Sequence, residues 1–144
     1  MGRFVFLFRR LRRHSWSERA LLGLTAIVCL CMWGALRMLS LRRLVRWTVK
    51  GPKRTTPADR ATMDRVAWAV RAAGGHLFPA RPCLPQALAA RFLLARLGVH
   101  TDLHIGVRRS EADDLQAHAW IEYEGEVLIG GTEAPVEYHS LTAP

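Results

Sequence analysis

Two side chains in this sequence are of the types that nucleophilic acyl chemistry needs: Cys83 and His118, 35 residues apart. A cysteine thiolate attacks a carbonyl carbon. An imidazole within hydrogen-bond reach takes the thiol proton and later hands it to the leaving group. Cys83 heads the stretch Cys83-Leu84-Pro85-Gln86-Ala87-Leu88-Ala89-Ala90, and Leu84, Ala87, Leu88, Leu93, Leu94 and Ala95 recur at three- and four-residue spacing, the pattern of a buried helical face. Leu97 closes the run, and Gly98 follows where a left-handed C-cap residue is wanted. Pro82 and Pro85 fit because the first turn of a helix leaves its amide hydrogens unused. A thiol at that end sees the positive pole of the helix dipole, which favours the nucleophilic thiolate. Taken alone, Cys83 is equally well read as a small packing residue at a helix start; the partner imidazole decides between the two.

After this helix the apolar period shortens to two. Leu103, Ile105 and Val107 alternate with Asp102, His104 and Gly106, which is a strand. Residues 117–123 form a second strand, Glu124-Gly125 a two-residue hairpin turn, and residues 126–129 a third strand that Gly130-Gly131 interrupts. The fold class is therefore α+β: a Cys-bearing helix packed on a small antiparallel sheet. Counting outward from the turn, Tyr123 opposes Glu126, Trp120 opposes Ile129, and His118 opposes Gly131. The group that orients His118 should come from position 130 or 131, and both are glycine. Trp120 reads as core or as a wall of the substrate groove. Gln86, one turn beyond Cys83, is a candidate oxyanion donor beside the amides of the helix start. His104 lies on the polar side of its strand and reads as structural. The remaining cysteines, Cys29 and Cys31, sit in an apolar run. No metal-ligand spacing and no glycine-rich phosphate loop are present, so neither a metal nor a cofactor is expected.

Upstream the composition changes. Residues 1–56 hold 13 of the 21 Lys and Arg but a single acid, Glu18; the pI of 10.9 belongs to this segment alone. We divide the chain into a basic helical segment, 1–56, and a globular domain, 57–144. Ser15 with Glu18 reads as a helix start. Residues 20–36 carry no charge, about one turn short of the roughly 20 residues of a membrane span. Arg flanks the run on both sides, so the positive-inside rule sets no orientation. Leu36, Leu39, Leu41, Leu44, Val45 and Trp47 then alternate with Arg37, Arg42, Arg43, Arg46 and Lys50. That is a basic amphipathic helix, suited to an anionic lipid surface or to an apolar surface of its own domain or of a partner. Residues 51–56 form a linker. Thr56-Pro57-Ala58-Asp59 opens the next helix with Thr56 as cap, and Gly74-Gly75 ends it. Nucleic acid is not an expected partner, because the charge sits on helices whose apolar faces need burial.

The segments Cys-Leu-Pro-Gln-Ala-Leu-Ala (83–89), Leu-Leu-Ala-Arg-Leu-Gly-Val (93–99), His-Ile-Gly-Val-Arg (104–108) and His-Ala-Trp-Ile-Glu (118–122) resemble the transglutaminase-like leader peptidases of bacterial lasso-peptide biosynthesis, in their stand-alone form. The resemblance runs from about residue 60 to the C-terminus. It implies a papain-like cysteine protease that removes the leader from a ribosomally made precursor, with Cys83 as nucleophile and His118 as general base. It also implies a separate leader-recognition protein and an ATP-dependent cyclase as partners. The cysteines, which suggest no disulfide framework, point to a reducing, cytoplasmic setting, and the basic amphipathic pattern leaves residues 1–50 available for contact with a membrane surface. The family pattern often carries an Asp twelve residues after the His. That position is Gly130 here, with Glu133 and Asp102 as candidate stand-ins, or a Cys–His dyad acting without a third member. Two other readings compete. One is a different Cys–His acyl-transfer enzyme, a transglutaminase or amidase. The other is a non-catalytic, membrane-associated interaction protein.

Overall fold

The computed structural model describes residues 16–50, 56–77, 83–109, 115–131 and 139–140. Among these, four helices precede a sheet: α1 (Trp16–Met38), α2 (Leu41–Thr48), α3 (Arg60–Leu77), α4 (Cys83–Arg96), then β1 (Asp102–Arg109), β2 (Leu115–Tyr123), β3 (Glu126–Ile129) and β4 (His139–Ser140). The strands order as β3-β2-β1-β4, antiparallel throughout. The chain is thus α+β, as its change of period requires.

The Cys-bearing helix is the centre of the molecule. The sequence predicts one buried face, yet α4 is buried on more than one side: Ala87, Leu88, Ala89, Ala90, Leu93, Leu94 and Ala95 are all inaccessible. The reason is that α1, α2 and α3 pack on one side of it and the sheet on the other. Alanines at 87, 89, 90 and 95 let neighbours approach closely, while Leu88 and Leu94 fill the space between. The helix ends in a Schellman motif. Gly98 has φ +79°, its amide donates to the Ala95 carbonyl at 3.1 Å, and the Val99 amide reaches the Leu94 carbonyl at 3.0 Å.

Several element boundaries differ from expectation. Helix α3 begins at Arg60, not at Thr56, because Asp59 is the cap: its Oδ1 accepts the Thr62 amide at 3.0 Å. It also continues through Gly74-Gly75 to Leu77. Gly74 is a packing site instead of a stop, as Gln86 of α4 fills the place where a Cβ would be. The expected amphipathic helix is divided between α1 and α2 around Ser40, whose extended backbone (ψ 142°) starts the second helix. In α2, Leu44 and Thr48 are buried while Arg42, Arg43 and Arg46 are exposed. The expected cap Ser15 and residues 1–14, 51–55 and 110–114 lie outside the described residues.

Helix α1 is 23 residues long, with a mean hydropathy of 1.8 over its most apolar window, long and apolar enough to cross a membrane. One of its sides nonetheless belongs to the protein core. Thr25, Val28 and Cys29 are buried, α1 packs on α3 and α4, and the Thr25 hydroxyl donates to the carbonyl of Ala69 in α3 at 3.4 Å. Its opposite side carries Leu24, Ile27 and Leu30, all exposed.

In the sheet, Glu124 (φ 51°) and Gly125 (φ 81°) form the turn between β2 and β3. Both central residues are left-handed, the conformation that matches strand twist in a two-residue hairpin. Tyr123 pairs with Glu126 as predicted, but Ile129 pairs with Ile121, not with Trp120, because a bulge shifts the register between Ile121 and Glu122.

Candidate active site

Cys83 is the first residue of α4, half-buried against the apolar core. Its position follows from the local sequence, since Pro85 and the neighbouring residues occupy the turn whose amides have no helical partner. Helix α4 in turn packs on β2, the strand that carries His118.

The two faces of β2 differ. Ala119 and Ile121 join the apolar core with Leu88, Leu103 and Ile129. His118, Trp120 and Glu122 share the other face, where β1 contributes His104 opposite Trp120 and Gly106 opposite His118. Trp120 is buried, and its ring lies nearly parallel to two imidazoles: centroid to centroid 5.4 Å from His104 at 15° and 6.3 Å from His118 at 18°. Its Nε1 donates to Glu122 Oε1 at 2.7 Å, and the same carboxylate lies 3.5 Å from His104 Nε2. Trp120 therefore backs His118 from within the sheet. His104, read from sequence as structural, is the second of the two imidazoles.

His118 is half-buried, and its Nε2 lies 2.6 Å from the main-chain oxygen of Gly130. The orienting contact thus comes from one of the two positions that the hairpin count names, delivered by backbone. A carbonyl oxygen only accepts, so Nε2 carries the hydrogen. In the neutral ring the lone pair then belongs to Nδ1.

The other candidates fall as follows. Asp102 is exposed at the start of β1 and pairs with Glu122. It stands four residues from Gly106, the partner of His118, about 13 Å away along a strand. Its charge acts instead on Arg91, whose guanidinium burial pushes down and Asp102 pulls back up. Asp102 is out of reach of His118 as an orienting group. Glu133 lies outside the described residues. Gln86 is half-buried with its side chain against Gly74 of α3. Among the described residues no group of three or more His, Cys, Asp or Glu gathers in a way that could hold a metal. Among the described residues, one hollow is bordered by Glu18, Asp64, Arg65 and Trp68 and another by Arg43, Arg46, Trp47 and Lys50; neither of these is lined by Cys83 or His118.

A cysteine at the head of a central helix, with a histidine on the second strand of the antiparallel sheet behind it, defines a class of acyl-transfer scaffold. The family comparison agrees: a model of the transglutaminase-like superfamily matches residues 26–143, and the chain belongs to that superfamily. The match begins inside α1, so it takes in residues 26–56 of the basic segment as well as the domain that follows. Searches of curated proteins and of solved structures return no match.

Proposed function

We propose that this protein is a cysteine endopeptidase that cleaves the leader from a ribosomally made lasso-peptide precursor. The observation that carries the reading is the membership in the transglutaminase-like superfamily, together with a cysteine at the head of α4 and a histidine on β2 that presents Nδ1 as its basic nitrogen. In the proposed reaction His118 Nδ1 takes the Cys83 proton, and the sulfur adds to the scissile carbonyl. The tetrahedral intermediate collapses to a thioester as His118 protonates the departing amine. Water then attacks the thioester, with His118 again taking a proton, and the leader acid and free thiol are regenerated. Main-chain amides at the head of α4 are suited to receive the oxyanion.

A separate leader-recognition protein and an ATP-dependent cyclase complete the proposed pathway, and the setting is cytoplasmic. We further propose a peripheral contact with an anionic membrane through the basic segment. The exposed Trp47 beside Arg43, Arg46 and Lys50 supports it, because an indole and clustered cations suit a headgroup layer.

Incubation with a precursor peptide and its recognition protein, read by mass spectrometry, is the test. Two fragments whose masses sum to the precursor plus one water are expected. Loss of ammonia from an intact peptide would instead mark a transglutaminase, and exchange of ammonia for water an amidase. Unchanged processing by Cys83→Ala would leave a non-catalytic interaction protein. The proximity of Cys83 and His118 that this mechanism requires is tested separately, by a bifunctional halo-ketone that bridges a thiol to an imidazole within a few ångströms.

A further inference from the structure

We infer that the main-chain carbonyl of Gly130 is the positioning group for His118, standing where relatives are expected to carry a carboxylate. The inference rests on the reading of His118 as the base. Three observations carry it.

The first is the 2.6 Å contact itself, which fixes the ring as the Nε2–H tautomer. The second is steric. Gly130 has φ +114°, and a Cβ there would lie 2.3 Å from Trp120 Cβ and 2.8 Å from Trp120 Cα. Those atoms belong to a buried strand residue that is held by its stack and by its bond to Glu122, so they cannot step aside. The site has no room for a side chain at 130, and the carbonyl is what it offers. The third is rigidity. Gly130 follows β3, whose Leu128 carbonyl accepts Arg71 Nη1 of α3 at 2.8 Å, and Leu128 and Ile129 are buried. The acceptor is thereby tied to the helical layer, while the Trp120 ring limits rotation of the imidazole. A fixed backbone dipole and a stacked ring together hold the histidine in one orientation. When Nδ1 gains a proton, the Nε2–H bond stays in place and becomes charge-assisted.

The full-length protein labelled with 15N-histidine provides the direct test. Long-range 1H–15N correlation, with His118 assigned by the signal lost in His118→Gln, should report Nε2–H as the neutral tautomer. An Nδ1–H tautomer would overturn the assignment, and the tautomer itself is read on the unsubstituted protein, the variant serving only to assign the signal. The second arm replaces the amide between residues 130 and 131 by an ester, which weakens the Gly130 oxygen as an acceptor and leaves all side chains in place. Alkylation of Cys83 should then slow on the order of tenfold, as loss of an outer orienting contact does elsewhere; an unchanged rate together with an unchanged tautomer would overturn the assignment. Gly130→Asp should not restore the rate, because its Cβ meets Trp120. The base reading fails on a different result, namely Cys83 alkylation that is indifferent to His118→Ala.

Discussion

Gln86 lies so close to Gly74 that a Cβ built on the glycine would sit 2.4 Å from the Gln86 Cδ and 2.6 Å from its Nε2. The consequence is testable, because the obstructing atoms, Cγ, Cδ and Nε2, belong to a side chain and not to backbone. Gly74→Ala removes a glycine from the interior of α3, a gain of up to about 1 kcal/mol in helix propensity, while the Gln86 amide must swing away. We expect the melting temperature to hold or rise. If Gln86 only packs against α3, both Gly74→Ala and Gln86→Ala will leave the alkylation rate of Cys83 within about twofold, a free-energy change below about 0.5 kcal/mol. A larger fall in either would return Gln86 to the chemistry as an oxyanion donor.

The three cysteines should label in a definite order. Cys29 is fully buried in α1, and that burial pushes its thiol up to about 11, so almost no thiolate exists at neutral pH. Cys31 is exposed on the same helix, and Cys83 heads α4. Iodoacetamide at pH 7, followed by peptide mass spectrometry, should modify Cys83 first, Cys31 next and Cys29 only on unfolding. His118→Ala should slow Cys83 alone, by roughly 100-fold or more if the imidazole supplies general-base assistance. Equal rates at Cys31 and Cys83 would remove the activated thiol from the mechanism.

Much of the site was legible because it is written in short-range chemistry. Pro85 and the spacing of Leu88 and Leu94 specify the start and core-facing side of α4, and the left-handed Glu124-Gly125 turn specifies the hairpin. Counting back from that turn names position 130 or 131 as the neighbour of His118. What the count could not supply was the bulge between Ile121 and Glu122, since an inserted residue leaves no mark in an alternating pattern. The carbonyl of Gly130 was equally invisible, because every residue has one and only the backbone path aims it. Asp59 replaced Thr56 as the cap of α3 for a related reason: both are good caps, and the choice falls to where the chain leaves the neighbouring Leu97, whose carbonyl accepts the Ala58 amide at 3.1 Å.

That cap carries a pH dependence. Hydrogen bonds to the Asp59 carboxylate from the Thr62 hydroxyl, and then from the Thr62 amide, hold its pKa below the usual carboxylate range. A group whose native pKa is lowered adds stability above its unfolded value, near 3.9, and loses it as pH falls through the lower native value. Asp59→Ala should therefore melt below the wild type at pH 7, and the gap should close progressively below about pH 4. Thermal melts of both proteins between pH 7 and pH 2 check it. A gap that stays constant through acid would mean that the charge contributes nothing and only helix propensity differs.

The two sides of α1 make opposite predictions about where that helix resides. Val28 is buried against the other helices, whereas Ile27, one position earlier, is 61 % exposed. If α1 is a packed part of the domain in water, Val28→Asp buries an unpaired charge and costs several kcal/mol, enough to unfold a domain of ordinary stability. Ile27→Asp then changes stability by no more than about 0.5 kcal/mol, as exposed positions do. The same Ile27→Asp protein distinguishes a lipid contact. Leu24, Ile27 and Leu30 are exposed on α1, and Trp47 and the arginines are exposed on α2. A charge at Ile27, between Leu24 and Leu30, should weaken binding to anionic vesicles while the fold and the Cys83 alkylation rate stay as they are. Sedimentation with vesicles of phosphatidylglycerol against phosphatidylcholine reads the difference. Equal binding to both lipids by the wild type, or undiminished binding by Ile27→Asp, would take this face out of any role at a membrane surface.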